Sequence, residues 1–165
     1  MAALTAGTEA PEFTLPTTEG QIFSLSQALK TGPVVLAFLK TNCPTCRYAF
    51  PFLERLHAAY RERGVTVLGV SQSSEQDTAR FRKEYGVSLA AVLDDPRGYR
   101  ISKAYGITNT PTVFLIAASG TIAVAGAGWS RADLDEINAK IAASLSSPEV
   151  PLFHAGEQVA EWKPG

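Results

Sequence analysis

Both cysteines of the chain stand two residues apart, in Lys40-Thr41-Asn42-Cys43-Pro44-Thr45-Cys46-Arg47. Thiols so spaced can hold half of a metal site, form a fixed cross-link, or open and close a small disulfide. The residues before them, Val34-Val35-Leu36-Ala37-Phe38-Leu39, are β-branched and apolar over the length of a buried strand. The residues after them, Tyr48 to Arg63, repeat apolar side chains at helical spacing through Phe52, Leu53, Leu56, Ala59 and Tyr60. The thiols therefore sit where a strand turns into a helix. There, unpaired backbone N–H groups and the positive end of the helix dipole favour negative charge. A cysteine in such a place has its pKa lowered from about 8.5 to around 3.5–7.5, which brings thiolate within reach at neutral pH. Pro44 suits the first helical position, where its missing N–H would be unpaired anyway.

The other two readings are weaker. A permanent bridge across so short a loop would remove little entropy from the unfolded chain. A zinc site needs two more ligands, and His57 and His154 have no ligand spacing relative to the pair. We expect no metal and no organic cofactor. Composition narrows the partners. With 165 residues, 45% apolar and 19% charged, the chain reads as one soluble domain able to bury a core. Fifteen basic against sixteen acidic side chains leave a formal charge of −1, so no basic face points to nucleic acid or a membrane surface. Met1 to Ala6 lacks the charged start and apolar stretch of a leader, and no apolar run nears the ~18 residues of a span. The expectation is a cytoplasmic monomer, and two cysteines confined to one motif agree with a reducing compartment.

The flanking elements follow from local chemistry. Phe13-Thr14-Leu15 and Ile22-Phe23-Ser24 around Thr17-Thr18-Glu19-Gly20 predict a hairpin, and Ser24 to Gln27 a capping box for a short helix through Leu29. Pro51 should kink the helix after the motif, and Gly64 should end it. Strands are expected at 65–70 and 89–93. Between them, a helix capped at Ser74 carries Phe81 and Tyr85 and stops at Gly86. Asp95-Pro96 suggests an N-cap and first residue of a helix through Ala104. This alternation predicts a largely parallel central sheet. Thr110-Pro111-Thr112 breaks the pattern before an antiparallel hairpin, 113–116 with 121–125, turned at Ala118-Ser119-Gly120. Ser130 caps a last helix to about Leu145, stapled by Trp129 and Leu134. Residues 1–147 make the domain, and 148–165 read as an extended or disordered C-terminal tail.

This order, with Cys43-Pro44-Thr45-Cys46, Pro51 and Tyr105-Gly106-Ile107-Thr108-Asn109-Thr110-Pro111-Thr112, resembles the thioredoxin superfamily over residues 9–145. The N-terminal hairpin and the additional helix and strand at 75–93 resemble its redoxin branch. That branch holds the TlpA/ResA-type thiol–disulfide oxidoreductases and the alkyl hydroperoxide reductase/thiol-specific antioxidant proteins. The resemblance implies an α/β, thioredoxin-like fold with a central mixed sheet flanked by helices. It also implies a cis bond before Pro111, packed against the active pair. Cys43 would attack a target disulfide and Cys46 would resolve the mixed disulfide. Backbone groups at Thr110 would pair with a bound polypeptide, and Pro44 and Thr45 would tune the potential. The partners would be disulfide-containing proteins and an electron donor.

The chain departs from the pattern at several positions. Asn42 stands where thioredoxins have tryptophan, Ala37 where they have a buried aspartate, and Ala49 where ResA-like proteins have a glutamate. Both familiar proton acceptors for the resolving thiol are missing. Lys40 and Arg47 are either solvated flanks or electrostatic supports for a thiolate, and both histidines read as surface residues. The alternative is a thiol-dependent peroxidase. Peroxiredoxins place Thr or Ser three residues before the reactive cysteine and Pro seven before. Here those positions hold Lys40 and Leu36 for Cys43, and Cys43 and Leu39 for Cys46; Pro111 stands where their arginine falls.

Overall fold

A computed structural model describes residues 2–165. The chain runs β1 (Thr14–Pro16), β2 (Ile22–Ser24), α1 (Leu25–Leu29), β3 (Val34–Leu39), α2 (Pro44–Tyr60), β4 (Thr66–Ser71), α3 (Glu75–Glu84), β5 (Ala90–Leu93), α4 (Arg100–Ala104), β6 (Thr112–Ile116), β7 (Ile122–Ala127), β8 (Trp129–Ser130), α5 (Arg131–Ser144) and β9 (Trp162–Lys163). The main sheet has the order β5-β4-β3-β6-β7. β3, β4 and β5 are parallel, whereas β6 runs against β3 and β7 against β6. The sheet is mixed, as the fold class required.

All six residues of β3 are buried, because the strand is central and covered on both faces. Alternation sends Val34, Leu36 and Phe38 to one side, among Phe13, Phe23, Leu25, Tyr105 and Phe114. Val35, Ala37 and Leu39 face the other, among Phe50, Leu53, Leu56, Ile137 and Ile141. So α1, α4 and the β1–β2 hairpin cover one face, and α2, α3 and α5 the other.

The serine caps act as expected: Ser24, Ser74 and Ser130 accept the N–H groups of Gln27, Asp77 and Asp133. α2 continues through Pro51, and Gly64 terminates the 3₁₀ turn that follows at a φ of 83°, where a Cβ would lie 2.3 Å from the Thr31 carbonyl oxygen. The Asp95–Pro96 helix start is corrected. Asp95 closes a turn with Arg97 to Tyr99, and α4 begins at Arg100. Its first N–H groups, at Ile101 and Ser102, donate to the buried carboxylate of Asp94 instead. His57 is also corrected: it is half-buried, with Nδ1 enclosed and burial pushing its pKa down.

Residues 148–165 are extended and packed on the domain. Leu152 is buried, Arg55 pairs with Glu157 through two bonds, and the Trp129 indole donates to the Ala160 carbonyl. β9 pairs antiparallel with β8.

Candidate active site

Strand register brings the two halves of the site together. β3 and β6 are antiparallel, with Phe38 opposite Thr112, so the chain leaving β3 and the chain entering β6 share one end of the sheet. The first leads to Cys43 and the second is Thr110-Pro111, whose peptide bond is cis. The Cys43 thiol donates to the Thr110 carbonyl at 3.1 Å.

Cys43 is the N-cap of α2, with extended backbone, and its sulfur accepts the Cys46 N–H at 3.2 Å. A cap oxygen would normally fill this role, and here a sulfur fills it. Pro44 is exposed at the first helical position. Burial pushes the Cys43 pKa up. Contacts with the Cys46 thiol and N–H, with Thr110 and with the Thr45 N–H outweigh that and bring it below its ordinary value. Cys46 has no exposed surface, and burial, reinforced by the neighbouring Cys43 sulfur, pushes its pKa strongly up. Both thiols are free. One half-exposed sulfur is thus prepared as an anion beside an enclosed one held as a thiol. That pairing suits nucleophilic attack followed by internal resolution.

The supporting residues differ in what they do. Thr45 is buried, and its hydroxyl donates to the Pro164 carbonyl at 2.6 Å. The Lys40 and Arg47 side chains are exposed and are not among the groups that shift Cys43. Lys40 contributes through its backbone carbonyl, which accepts the Cys43 N–H. Arg47 donates from Nε to the Thr41 carbonyl. Among the described residues, no group of three or more His, Cys, Asp or Glu is placed to hold a metal ion.

The family comparison agrees with this geometry, because residues 6–125 match the AhpC/TSA family. The chain belongs to that family. Thiol-disulfide oxidoreductase ResA from Halalkalibacterium halodurans is 36% identical over 118 residues, 71% of this chain and 65% of the relative's length. The matched region therefore spans less than two thirds of that relative. A solved thiol:disulfide interchange protein of the thioredoxin family from Chlorobium tepidum is 29% identical, with a TM-score of 0.70 over 87% of this chain and 99% of its own. Peroxidoxin BcpB from Mycobacterium tuberculosis has a TM-score of 0.68 over 87% of this chain and 97% of its own. Its 20% identity makes it a likeness of fold alone.

Ala37 and Ala49 are both buried, and no carboxylate is among the groups that shift the Cys46 thiol. Ala49 instead lines a small pocket with Val113, Gly126, Trp129 and Asp133. Burial raises the Asp133 carboxyl above its ordinary value. Sequence reading missed residues 160–165, which close in on the site. The Asn109 amide donates to the Gly165 carbonyl at 3.4 Å, and a Cβ on Gly128 would lie 2.4 Å from the Lys163 carbonyl oxygen. The one available signal was Gly128 itself, whose φ of 76° and missing side chain permit that approach.

Proposed function

We propose that the chain is a thiol–disulfide oxidoreductase acting on protein disulfides. The observation that carries this reading is the Cys43 sulfur at the helix N-cap, its pKa lowered, one residue contact from Thr110 and one turn from a protonated, buried Cys46. The Cys43 thiolate attacks one sulfur of the target disulfide and forms a mixed disulfide, while the other target sulfur leaves as a thiolate and takes up a proton. Cys46 then loses its proton and attacks the Cys43 sulfur. The Cys43–Cys46 bond forms, and the second target sulfur departs and is protonated. Two electrons pass from the pair to the target, with one proton from Cys46 and one from solvent, where Cys43 had left its own. A separate donor must then reduce the pair.

In this reading Thr110 offers its backbone to the target polypeptide, Pro111 shapes that edge, and Pro44 and Thr45 set the potential of the pair. The protein acts as a monomer. Ile22 and Trp162 are the exposed large hydrophobic residues among those described, and two isolated side chains do not make an association patch. No helix among the described residues is long and apolar enough to cross a membrane. The cytoplasmic setting belongs to the same proposal, and cell fractionation tests it.

Turbidity from insulin reduction in dithiothreitol decides the main point. Wild type should accelerate precipitation, and Cys43→Ser should fall to the uncatalysed rate. Equal rates for the two proteins would remove the reading.

A further inference from the structure

Residues 160–165 cross the reactive face in extended form. β9 is held against β8 with Ser130 opposite Trp162 and Trp129 opposite Lys163. Beyond it, the chain passes between the start of α2 and the loop before β6. The Thr45 hydroxyl donates to the Pro164 carbonyl at 2.6 Å, and the Asn109 amide to the Gly165 carbonyl at 3.4 Å. A Cβ on Gly165 would lie 3.0 Å from the Thr110 carbonyl oxygen, the atom that receives the Cys43 S–H at 3.1 Å. Gly165 therefore lies against the backbone group that the nucleophile touches.

The holding groups are informative about what the groove accepts. The two side-chain hydrogen bonds that reach residues 162–165 are both received by main-chain carbonyls, and Trp162 and Pro164 keep their side chains exposed. Lys163 sets its ammonium over the Tyr48 ring, 4.8 Å from the centroid. A groove that grips carbonyl oxygens and engages only the Lys163 side chain recognises an extended backbone with little demand on its sequence. It demands only a small residue beside Thr110.

We propose that Trp162–Gly165 is an internal stand-in for the target: it occupies the groove lined by Thr45, Asn109, Thr110 and Gly128, and an extended polypeptide segment bearing the disulfide docks by displacing it. This inference rests on the disulfide-exchange reading and names how its substrate is recognised. Because the strap is tethered, it competes at high effective concentration, so only segments that match its backbone contacts gain the site. Its two-residue ladder and exposed side chains make it the kind of segment that opens locally without unfolding the domain.

The test uses the full chain carrying Cys46→Ser and a ten-residue peptide whose single cysteine is activated with thionitrobenzoate. The Cys43 thiolate attacks the peptide sulfur, the peptide–Cys43 disulfide forms, and thionitrobenzoate leaves as the coloured thiolate. Hydrogen exchange at Lys163, whose N–H faces Trp129 in the ladder, is then compared with that of the unreacted variant. Exchange should speed up by at least about tenfold as the strap is lifted. Unchanged or slower exchange in a fully formed mixed disulfide would overturn the stand-in and make the strap a fixed wall of the groove. Absence of thionitrobenzoate release would overturn the exchange reading itself, and the inference with it. A second variant, Gly165→Val, crowds the Thr110 carbonyl and should raise the insulin-reduction rate about threefold, the effect of a modest rise in the open fraction. A rate equal to or below wild type would count against displacement.

Discussion

Residues 40–47 and residues 160–165 both reach the Thr110 carbonyl, but they are anchored by different physics. The first segment leaves a strand with no exposed residue and enters a helix whose inner face, Cys46, Ala49, Phe50 and Leu53, is buried. The second is held by a two-residue ladder, single hydrogen bonds and a long, largely exposed ion pair between Arg131 and Glu161. Burial fixes a geometry because any displacement exposes apolar surface, while hydrogen bonds at a surface can be exchanged for water at little net loss. The reactive sulfur therefore sits on the rigid element and the replaceable cover on the loose one.

The sharpest break between the two segments is covalent. Cys46→Ser should trap mixed disulfides with target proteins, visible as reducible high-mass species on a non-reducing gel, while Cys43→Ser should trap none. The reverse pattern would exchange the two assigned roles. No substitution in 160–165 should approach this all-or-none effect.

Stability separates the segments next. Phe38 has no exposed surface and packs against Tyr105 and Phe114. Phe38→Ala should cost about 3–5 kcal/mol in denaturant unfolding, the usual range for emptying an aromatic core site. Leu152, which pins 148–165 to the α2 and α5 face, is nearly as buried. Leu152→Ala should cost only about 2 kcal/mol, the low end for leucine, because an extended segment can settle into the space. Equal losses would mean that the tail is as integral as the central strand.

The two thiols offer a comparison within the first segment. Carboxamidomethylation of Cys43 by iodoacetamide should rise with pH and level off with a midpoint below that of an ordinary thiol, because its thiolate is favoured by hydrogen bonds that the thiol cannot use as well. Cys46 should stay unmodified until denaturant is added, since burial disfavours its anion and blocks the reagent. A Cys43 midpoint at or above the ordinary thiol value would remove the electrostatic basis of the nucleophile.

How much of this could be read from the sequence follows the same division. β3 appeared as an apolar run because a strand covered on both faces has no polar alternation, and its boundaries, Val34–Leu39, agree with the structure. Cys43, Pro44 and Cys46 were legible because cap position and proline preference are local properties. The proximity of Thr110 to Cys43 came from the family resemblance, since it depends on a strand register 67 residues away in sequence. Asp94 was missed in favour of Asp95 because the Asp-Pro pair is a strong local cue. The actual cap reaches seven residues ahead to Ile101. Residues 148–165 gave no signal because their hold is tertiary: Glu157 finds Arg55, and Ala160 finds both Trp129 and Tyr48. None of these partners is visible in a window of neighbours.

The smallest effect concerns that hold. The Glu157 carboxylate accepts two bonds from Arg55, each 2.7 Å long, and the His154 N–H at 3.1 Å. The Arg55 guanidinium foremost keeps its pKa well below the usual carboxylate range, at about 2. A carboxyl depressed in the folded chain contributes stability that is complete above its unfolded value, near 4.3, and is lost as pH falls through the folded one. The grip on 148–165 should therefore be full at neutral pH and weaken between roughly pH 4.5 and 2. Glu157→Gln should reproduce at pH 7 what acid does to the wild type: faster hydrogen exchange at His154 and Ala160, with β3 and β4 amides unaffected. Partly exposed ion pairs contribute little, so the change should be only about two- to fivefold. If the variant and the wild type exchange alike at pH 7, apolar contacts such as Leu152 hold the segment and the ion pair only decorates it.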